Sequence, residues 1–177
     1  MGKNKTILYC LFLFIGSIGL SGQNAGSRVA DIYSTQIGVR EATGKNDGTD
    51  VEKYLAATGL GKGHAWCAAF VAWTFDQAHI KTVKSAWSPA WFPSQKTIYT
   101  RGESGNITPQ QADVFGIYFQ NLKRVAHVGF IDDWQQETSF LITVEGNTNE
   151  AGSRDGDGVY RKRRLKSQIY KVSRWVD

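Results

Sequence analysis

The sequence comprises 177 residues, with 21 Lys and Arg against 16 Asp and Glu and a formal net charge of +5. This mild basic excess suits an anionic surface such as a cell wall, but it is too small to argue for nucleic acid as a partner. Two cysteines are present, Cys10 and Cys67.

Residues 1–22 have the pattern of a secretory signal peptide. Lys3 and Lys5 give a positive start, an apolar run follows, and small residues end the segment. A retained membrane anchor is disfavoured because the apolar run is short for a spanning helix. Cleavage leaves residues 23–177 as a single domain with a net charge of +3 and Cys67 as its one thiol. The product is expected to be secreted or periplasmic, without stable membrane association.

The predicted elements change from helices to strands along the chain. Apolar residues spaced by three and four predict helices over three segments, 29–37, 51–57 and 65–79. Alternation with β-branched and aromatic residues predicts strands over five segments, 113–119, 125–134, 139–145, 158–164 and 168–175. Helices followed by strands indicate an α+β fold, with N-terminal helices packed on an antiparallel sheet of about five strands.

No metal or cofactor is predicted, although two places in the sequence have some features of a metal site. Asp47 and Asp50 lie in a Gly- and Asn-rich loop, but this loop lacks the full ligand set of an EF-hand. A solvated loop in which Asp50 caps the second helix is favoured, and a calcium ion near the two aspartates stays an open alternative. His64 and Cys67 have a spacing that could begin a zinc site, but a structural zinc needs four protein ligands.

A glycine-rich turn delivers Cys67 to the first turn of an apolar helix. Gly61 and Gly63 loosen the approach, and residues 68–73 contain no helix breaker. A thiol at this place meets unpaired backbone N–H groups and the positive end of the helix dipole, which favour the thiolate and lower the pKa. The position predicts a reactive nucleophile rather than an inert buried thiol.

A cysteine nucleophile needs a base, and His127 is the best placed of the three histidines. It lies near the start of a predicted strand, which fixes its side-chain direction, and Gly129 lets another element approach closely. His64 lies in a loose turn, and His79 is too far along the helix to meet a thiol at its start.

The next strand ends in Glu145 and Asn147, which alternation places on one side of the strand. Either side chain could accept a hydrogen bond from His127 and hold its tautomer and orientation. The alternative for both is a strand-end charge followed by a Gly-Asn turn, which is a common arrangement.

Three tryptophans near the predicted nucleophile are assigned to substrate binding: Trp66, Trp87 and Trp91. Residues 81–97 contain too many aromatics and prolines for a plain helix, and loops on a rigid frame often carry binding residues. Trp87 and Trp91 would then form an aromatic wall of a substrate groove. The alternative is a hydrophobic satellite cluster under a long loop.

The basic run 161–166 is typical of the solvated face of an edge strand, where charge also discourages pairing with another sheet. Contact with anionic wall polymers is the alternative for this run. Asp132 and Asp133 are interpreted as a charge pair at a strand end.

Four segments of the chain follow one another in the order found in a known family: 63–73, 112–115, 127–131 and 145–147. They resemble the motifs of CHAP domains, which are cysteine, histidine-dependent amidohydrolases and peptidases with a papain-like fold that cleave peptidoglycan. The resemblance extends from about Ile32 to the last strand. One departure is visible, because the usual Pro-Gly-Asp is replaced by Gln-Ala-Asp at 111–113.

The resemblance implies Cys67 as nucleophile, His127 as base, Glu145 as the group that orients the base and Asn147 as a further polar contributor. It implies an N-acetylmuramoyl-L-alanine amidase or an endopeptidase that acts on peptidoglycan, expected as a monomer. Two alternatives are a non-catalytic wall-binding module of the same fold and a cysteine peptidase that acts on proteins. The intact set of three residues favours an enzyme, because a binding module has no need of it.

Overall fold

The computed structural model describes residues 24–151 and 156–176 of the chain, so the predicted signal peptide lies outside the described residues. Three α-helices come first: α1 (Ala25–Thr35), α2 (Thr49–Ala56) and α3 (Cys67–Gln77). Six strands follow: β1 (Thr97–Thr100), β2 (Val114–Phe119), β3 (Arg124–Asp133), β4 (Phe140–Thr148), β5 (Gly158–Leu165) and β6 (Lys171–Ser173). Short 3-10 helices span Ser88–Trp91 and Lys166–Gln168. None of the helices in these two ranges has the length and apolar character needed to cross a bilayer.

The six strands form one sheet in the order β1-β6-β2-β3-β4-β5, and every neighbouring pair is antiparallel. The predicted α+β class, with helices preceding an antiparallel sheet, is confirmed. The sequence predicted about five strands, and the additional one is β1. This strand has only four residues and follows a segment rich in Trp and Pro, so alternation gave no usable signal there.

Helix α3 lies at the centre of the core, in contact with α1, α2, β3 and β4. Eight of its 11 residues are buried. The ring of Phe70 packs edge to face with the rings of Tyr54 and Phe130, with centroid distances of 5.2 Å and 6.1 Å. A Cβ on Gly146 of β4 would lie 2.6 Å from the Trp66 ring and 2.9 Å from Phe70. The close approach of α3 to β4 therefore requires glycine at this position, and it fixes the start of α3 beside β4.

The helix starts differ in how they are capped. Asn24 caps α1, because its side-chain oxygen accepts a hydrogen bond of 2.7 Å from the Ser27 N–H. The prediction that Asp50 caps α2 is wrong. Gly48 is the N-cap of α2, and Asp50 lies inside the first turn, where it forms an ion pair with Lys53.

Candidate active site

Cys67, His127 and Glu145 meet where the start of α3 packs against β3 and β4. Nε2 of His127 lies 2.8 Å from Oε2 of Glu145. The imidazole also interacts with the Cys67 thiol, and because Nε2 is engaged by the carboxylate, Nδ1 is the nitrogen left for the sulfur. Nδ1 makes no hydrogen bond of normal geometry within the described part of the chain. Such contacts are often long before substrate binds, so this ring nitrogen is free to exchange a proton with the thiol.

The pKa values of the Cys67 thiol and of the His127 imidazole are shifted in opposite directions. Burial raises the pKa of the Cys67 thiol, but interaction with His127 and with the Ser88 hydroxyl outweighs burial and lowers the pKa below its ordinary value. Burial lowers the pKa of His127, but the neighbouring thiol and the Glu145 carboxylate outweigh it and raise the pKa to about 9. The two shifts together favour a thiolate–imidazolium pair, the reactive form of a cysteine nucleophile.

Glu145 is held as a carboxylate in the interior. Its exposed fraction is 0%, and Arg164, which is 7% exposed, donates to both of its oxygens from Nε and Nη2. The hydroxyl of Thr143 also donates to this carboxylate. Burial raises the pKa of Glu145, but the hydrogen bonds from Arg164 and His127 outweigh it and hold the pKa well below its usual range. A fixed negative charge therefore orients His127 and stabilises its protonated form.

Arg164 was not predicted as part of the site, and the interpretation of the basic run as a solvated face is wrong for this residue. β5 is an edge strand, and Arg161 and Arg163 on it are exposed. Alternation turns Arg164 to the other face, towards Glu145. A signal was present in the sequence, since a carboxylate in the interior needs a compensating positive charge and the basic run lies on the strand that follows Glu145.

Asn147 makes no hydrogen bond to His127 among the described residues, and it does not share a face with Glu145 as alternation predicted. The pairing of β4 with β5 shifts register between Glu145 and Thr148, and Asn147 has a φ of 55°, in the left-handed region. This bulge breaks the alternation on which the prediction relied. The Asn147 side-chain oxygen instead accepts a hydrogen bond of 3.0 Å from the backbone N–H of Trp66. Asn147 thus holds the turn that precedes Cys67.

We expect Asn147→Ala to lower the free energy of unfolding by about 1–3 kcal/mol more than Asn46→Ala, because it leaves the buried Trp66 N–H without an acceptor. Asn46 is a matched control, since it also has a φ of 55° and the same substitution strains the backbone equally. Both variants lose the hydrogen bond of 3.1 Å that Nδ2 of Asn147 donates to Oδ1 of Asn46, so the difference reports the other contacts of Asn147, with the Trp66 N–H and the Gly156 carbonyl. Urea denaturation of both variants measures the difference. Equal losses would contradict the role of Asn147 in holding the Trp66 turn.

A cleft of about 340 Å³ opens beside the thiol, lined by residues that include His64, Cys67, Trp87, Ser88 and Arg124. Cys67 is 4% exposed, so the sulfur lies at the inner end of this cleft rather than on the surface. Of the three tryptophans predicted to bind substrate, Trp87 is 53% exposed and lines the cleft.

The substrate-binding prediction is wrong for Trp66 and Trp91, which are both fully buried. Trp66 stacks on Tyr54 at 5.5 Å and donates from Nε1 to Glu41. Trp91 stacks on Phe75 at 5.8 Å between ring centroids. Both rings belong to the hydrophobic core, and Trp91 is the last residue of the 3-10 helix Ser88–Trp91.

Ser88 is a site residue that the sequence did not suggest. Its Oγ lies 3.7 Å from Sγ of Cys67, and the residue is 4% exposed. No motif marked it, because a serine before a proline in a loop is common and the distance to the thiol depends on how the loop folds back over α3.

Asp47 and Asp50, the two aspartates of the alternative calcium site, are engaged within the protein. Asp47 accepts hydrogen bonds from the N–H and hydroxyl of Thr43, and Asp50 pairs with Lys53. Over residues 24–151 and 156–176 no group of three or more His, Cys, Asp or Glu has an arrangement that could hold a metal ion. Comparison of the chain with protein-family models, with curated proteins and with solved structures found no match.

Proposed function

We propose that this chain is a secreted peptidoglycan hydrolase with a papain-like CHAP domain, which cleaves an amide bond of the cell-wall peptide through a thioester on Cys67. The observation that supports this best is the placement of the Cys67 thiol beside His127, whose Nε2 lies 2.8 Å from the fully buried Glu145. Burying charged groups costs free energy that hydrophobic side chains of similar volume would not cost. Buried groups with opposite pKa shifts next to a cleft are typical of catalytic sites.

The first step is attack on the scissile amide. The Cys67 thiolate adds to the carbonyl carbon, a carbon–sulfur bond forms, and the π electron pair moves to the carbonyl oxygen. The first N–H groups of a helix have no partner inside the helix. Cys67 is the first residue of α3, so its own N–H is placed to donate to the developing oxyanion.

The second step releases the amine. The tetrahedral intermediate reforms its carbonyl, the carbon–nitrogen bond breaks, and the imidazolium of His127 gives the leaving nitrogen its proton. Water then adds to the thioester while neutral His127 accepts a proton, and the carbon–sulfur bond breaks to release a carboxylic acid. Glu145 accepts from Nε2 throughout, which keeps the proton to be transferred on the nitrogen that faces the thiol.

The test is fragment analysis of purified peptidoglycan after incubation with the protein. A new amino group on the L-alanine that was linked to muramic acid identifies an amidase, and a new amino group within the peptide identifies an endopeptidase. Folded protein that binds the wall and releases no amine would favour the binding module. Cleavage of an unfolded protein substrate with no action on the wall would favour a general cysteine peptidase.

The rate of hydrolysis is expected to fall as the pH rises through about 9, where His127 loses its proton. The reactive form needs a thiolate and an imidazolium together, so kcat/KM is highest above the lowered pKa of Cys67 and below that of His127. A pH–rate profile with a fluorogenic wall peptide measures this. Activity that kept rising between about pH 8 and pH 10 would instead indicate an ordinary thiol without an imidazolium partner.

A further inference from the structure

The cleft beside Cys67 contains one arginine whose charge the mechanism does not use. The guanidinium carbon of Arg124 lies 4.2 Å from the centre of the exposed Trp87 ring. Both side chains line the same cleft as the thiol. Stacking on an indole holds a guanidinium flat, which reduces the side-chain entropy that binding would otherwise cost.

The local fold explains why Arg124 reaches this cleft. The pairing of β2 with β3 shifts register so that Ile117 opposes His127 and Tyr118 opposes Val125, which leaves Ala126 as an extra residue. A bulge of this kind re-aims the side chains around it. As a result, Arg124 and Ala126 line the cleft while His127, the next residue, contacts the thiol.

The charge of Arg124 is not neutralised by the protein. Its Nη1 donates a hydrogen bond of 3.0 Å to the Val125 carbonyl, and the guanidinium has no ion-pair partner among the described residues. No Asp or Glu of the described chain lines the cleft. A guanidinium has five N–H donors arranged for a carboxylate, so most of its donors are available to a ligand.

We propose that Arg124, held over the Trp87 ring, binds a carboxylate of the substrate next to the scissile amide, so that the site selects acidic peptides. The identity of the scissile bond rests on the proposed function. The anion site itself rests only on the cleft, the stacked pair and the absence of a neutralising acid among its described lining residues.

Alkylation of Cys67 tests the anion site without any hydrolysis. Iodoacetate and iodoacetamide both transfer a CH₂ group to the sulfur with loss of iodide, and they differ in carrying a carboxylate or a neutral amide. Both rates are proportional to the fraction of Cys67 that is thiolate, so this fraction cancels in the ratio of the two rates. Mass spectrometry of the Cys67 peptide measures each rate. We expect Arg124→Gln to lower the iodoacetate to iodoacetamide ratio by about three- to tenfold, since a unit charge near the sulfur is lost.

Arg163→Gln is the matched control, because Arg163 also stacks on a ring, that of Phe140 at 3.4 Å, but does not line the cleft. This variant should leave the ratio unchanged. Trp87→Ala should lower the ratio by a smaller factor, and it gives an independent test if Arg124→Gln is poorly folded. The proposal would be overturned if Arg124→Gln and Trp87→Ala both kept the iodoacetate to iodoacetamide ratio of the native protein. It would also be overturned if Arg163→Gln lowered this ratio as much as Arg124→Gln does.

Hydrolysis supplies the second readout. For wall peptides that carry either a free carboxylate or its carboxamide beside the cleaved bond, Arg124→Gln should raise KM for the carboxylate form alone. Absence of hydrolysis of every peptide would count against the proposed function and leave the alkylation ratio as the test of the anion site. Normal hydrolysis with no preference for the carboxylate, and no change in the ratio, would refute the anion site alone.

Discussion

Replacement of Cys67 with alanine is expected to reduce the release of new amino groups from purified peptidoglycan by at least about a thousandfold. The substitution removes the atom that forms the thioester, and what persists is the small rate supplied by substrate binding and the oxyanion donor. Fragment analysis and zymography of native and variant protein measure the effect. Alanine is a strong helix former, so the start of α3 should fold normally.

Cys67→Ser is the informative companion variant. It retains a polar atom of similar shape, but a hydroxyl ionises far less readily than a thiol, so the environment that lowers the pKa of Cys67 does not produce an alkoxide. We expect nearly the same loss as for alanine, with circular dichroism and melting behaviour close to those of the native protein. Clearing of the wall that persists in Cys67→Ala would rule out this residue as the nucleophile.

The second large effect is expected from Arg164→Met, which should lower the free energy of unfolding by about 3–5 kcal/mol. Arg164 and Glu145 are 7% and 0% exposed, and removing one partner of a buried pair leaves an uncompensated charge in the interior. Urea denaturation at neutral pH measures the loss. Activity should fall as well, because the pKa of Glu145 rises when its cation is removed and a neutral carboxyl no longer supports the His127 imidazolium.

Arg161→Met is the matched control for this prediction. Arg161 lies three residues earlier on β5 and also pairs with an acid, Asp132, but its side chain is 51% exposed. The guanidinium of Arg161 stays half in contact with water, and Asp132, although 14% exposed, keeps the hydrogen bond from the Tyr33 hydroxyl, so the loss should be smaller, about 1 kcal/mol. Adding Glu145→Gln to Arg164→Met removes the unpaired charge and should recover part of the stability. Equal losses in the two arginine variants would contradict the buried-pair argument.

The sequence was sufficient to place the central pieces of the candidate site. Cys67 lies in the first turn of α3, as the glycine turn and the apolar run predicted, although the helix begins two residues after the predicted start at 65. His127 and Glu145 lie on neighbouring antiparallel strands and are within hydrogen-bond distance. Both predictions depended on short-range rules, namely where a helix starts and which consecutive strands pair, and these rules act over a few residues.

The errors concern which side of an element a residue faces. Trp66, Trp87 and Trp91 are chemically alike and close in sequence, but only Trp87 is exposed. Their burial is decided by tertiary packing, that of Trp66 by Tyr54 and β4 and that of Trp91 by Phe75, which no local pattern records. Asn147 was misplaced because a bulge changes its direction, and Arg164 because a charged residue on an edge strand usually faces solvent.

The position of β6 in the sheet has a consequence for how the chain acquires its structure. β1 pairs with β6 and with no other strand among the described residues, and β6 also pairs with β2. β1 and the adjoining side of β2 therefore present unsatisfied backbone groups until a segment far along the chain arrives between them. Such a late, long-range closure is slow. The refolding yield of the denatured protein should therefore fall as the protein concentration rises. Partly folded molecules would associate through these unpaired strand edges before β6 is inserted between β1 and β2.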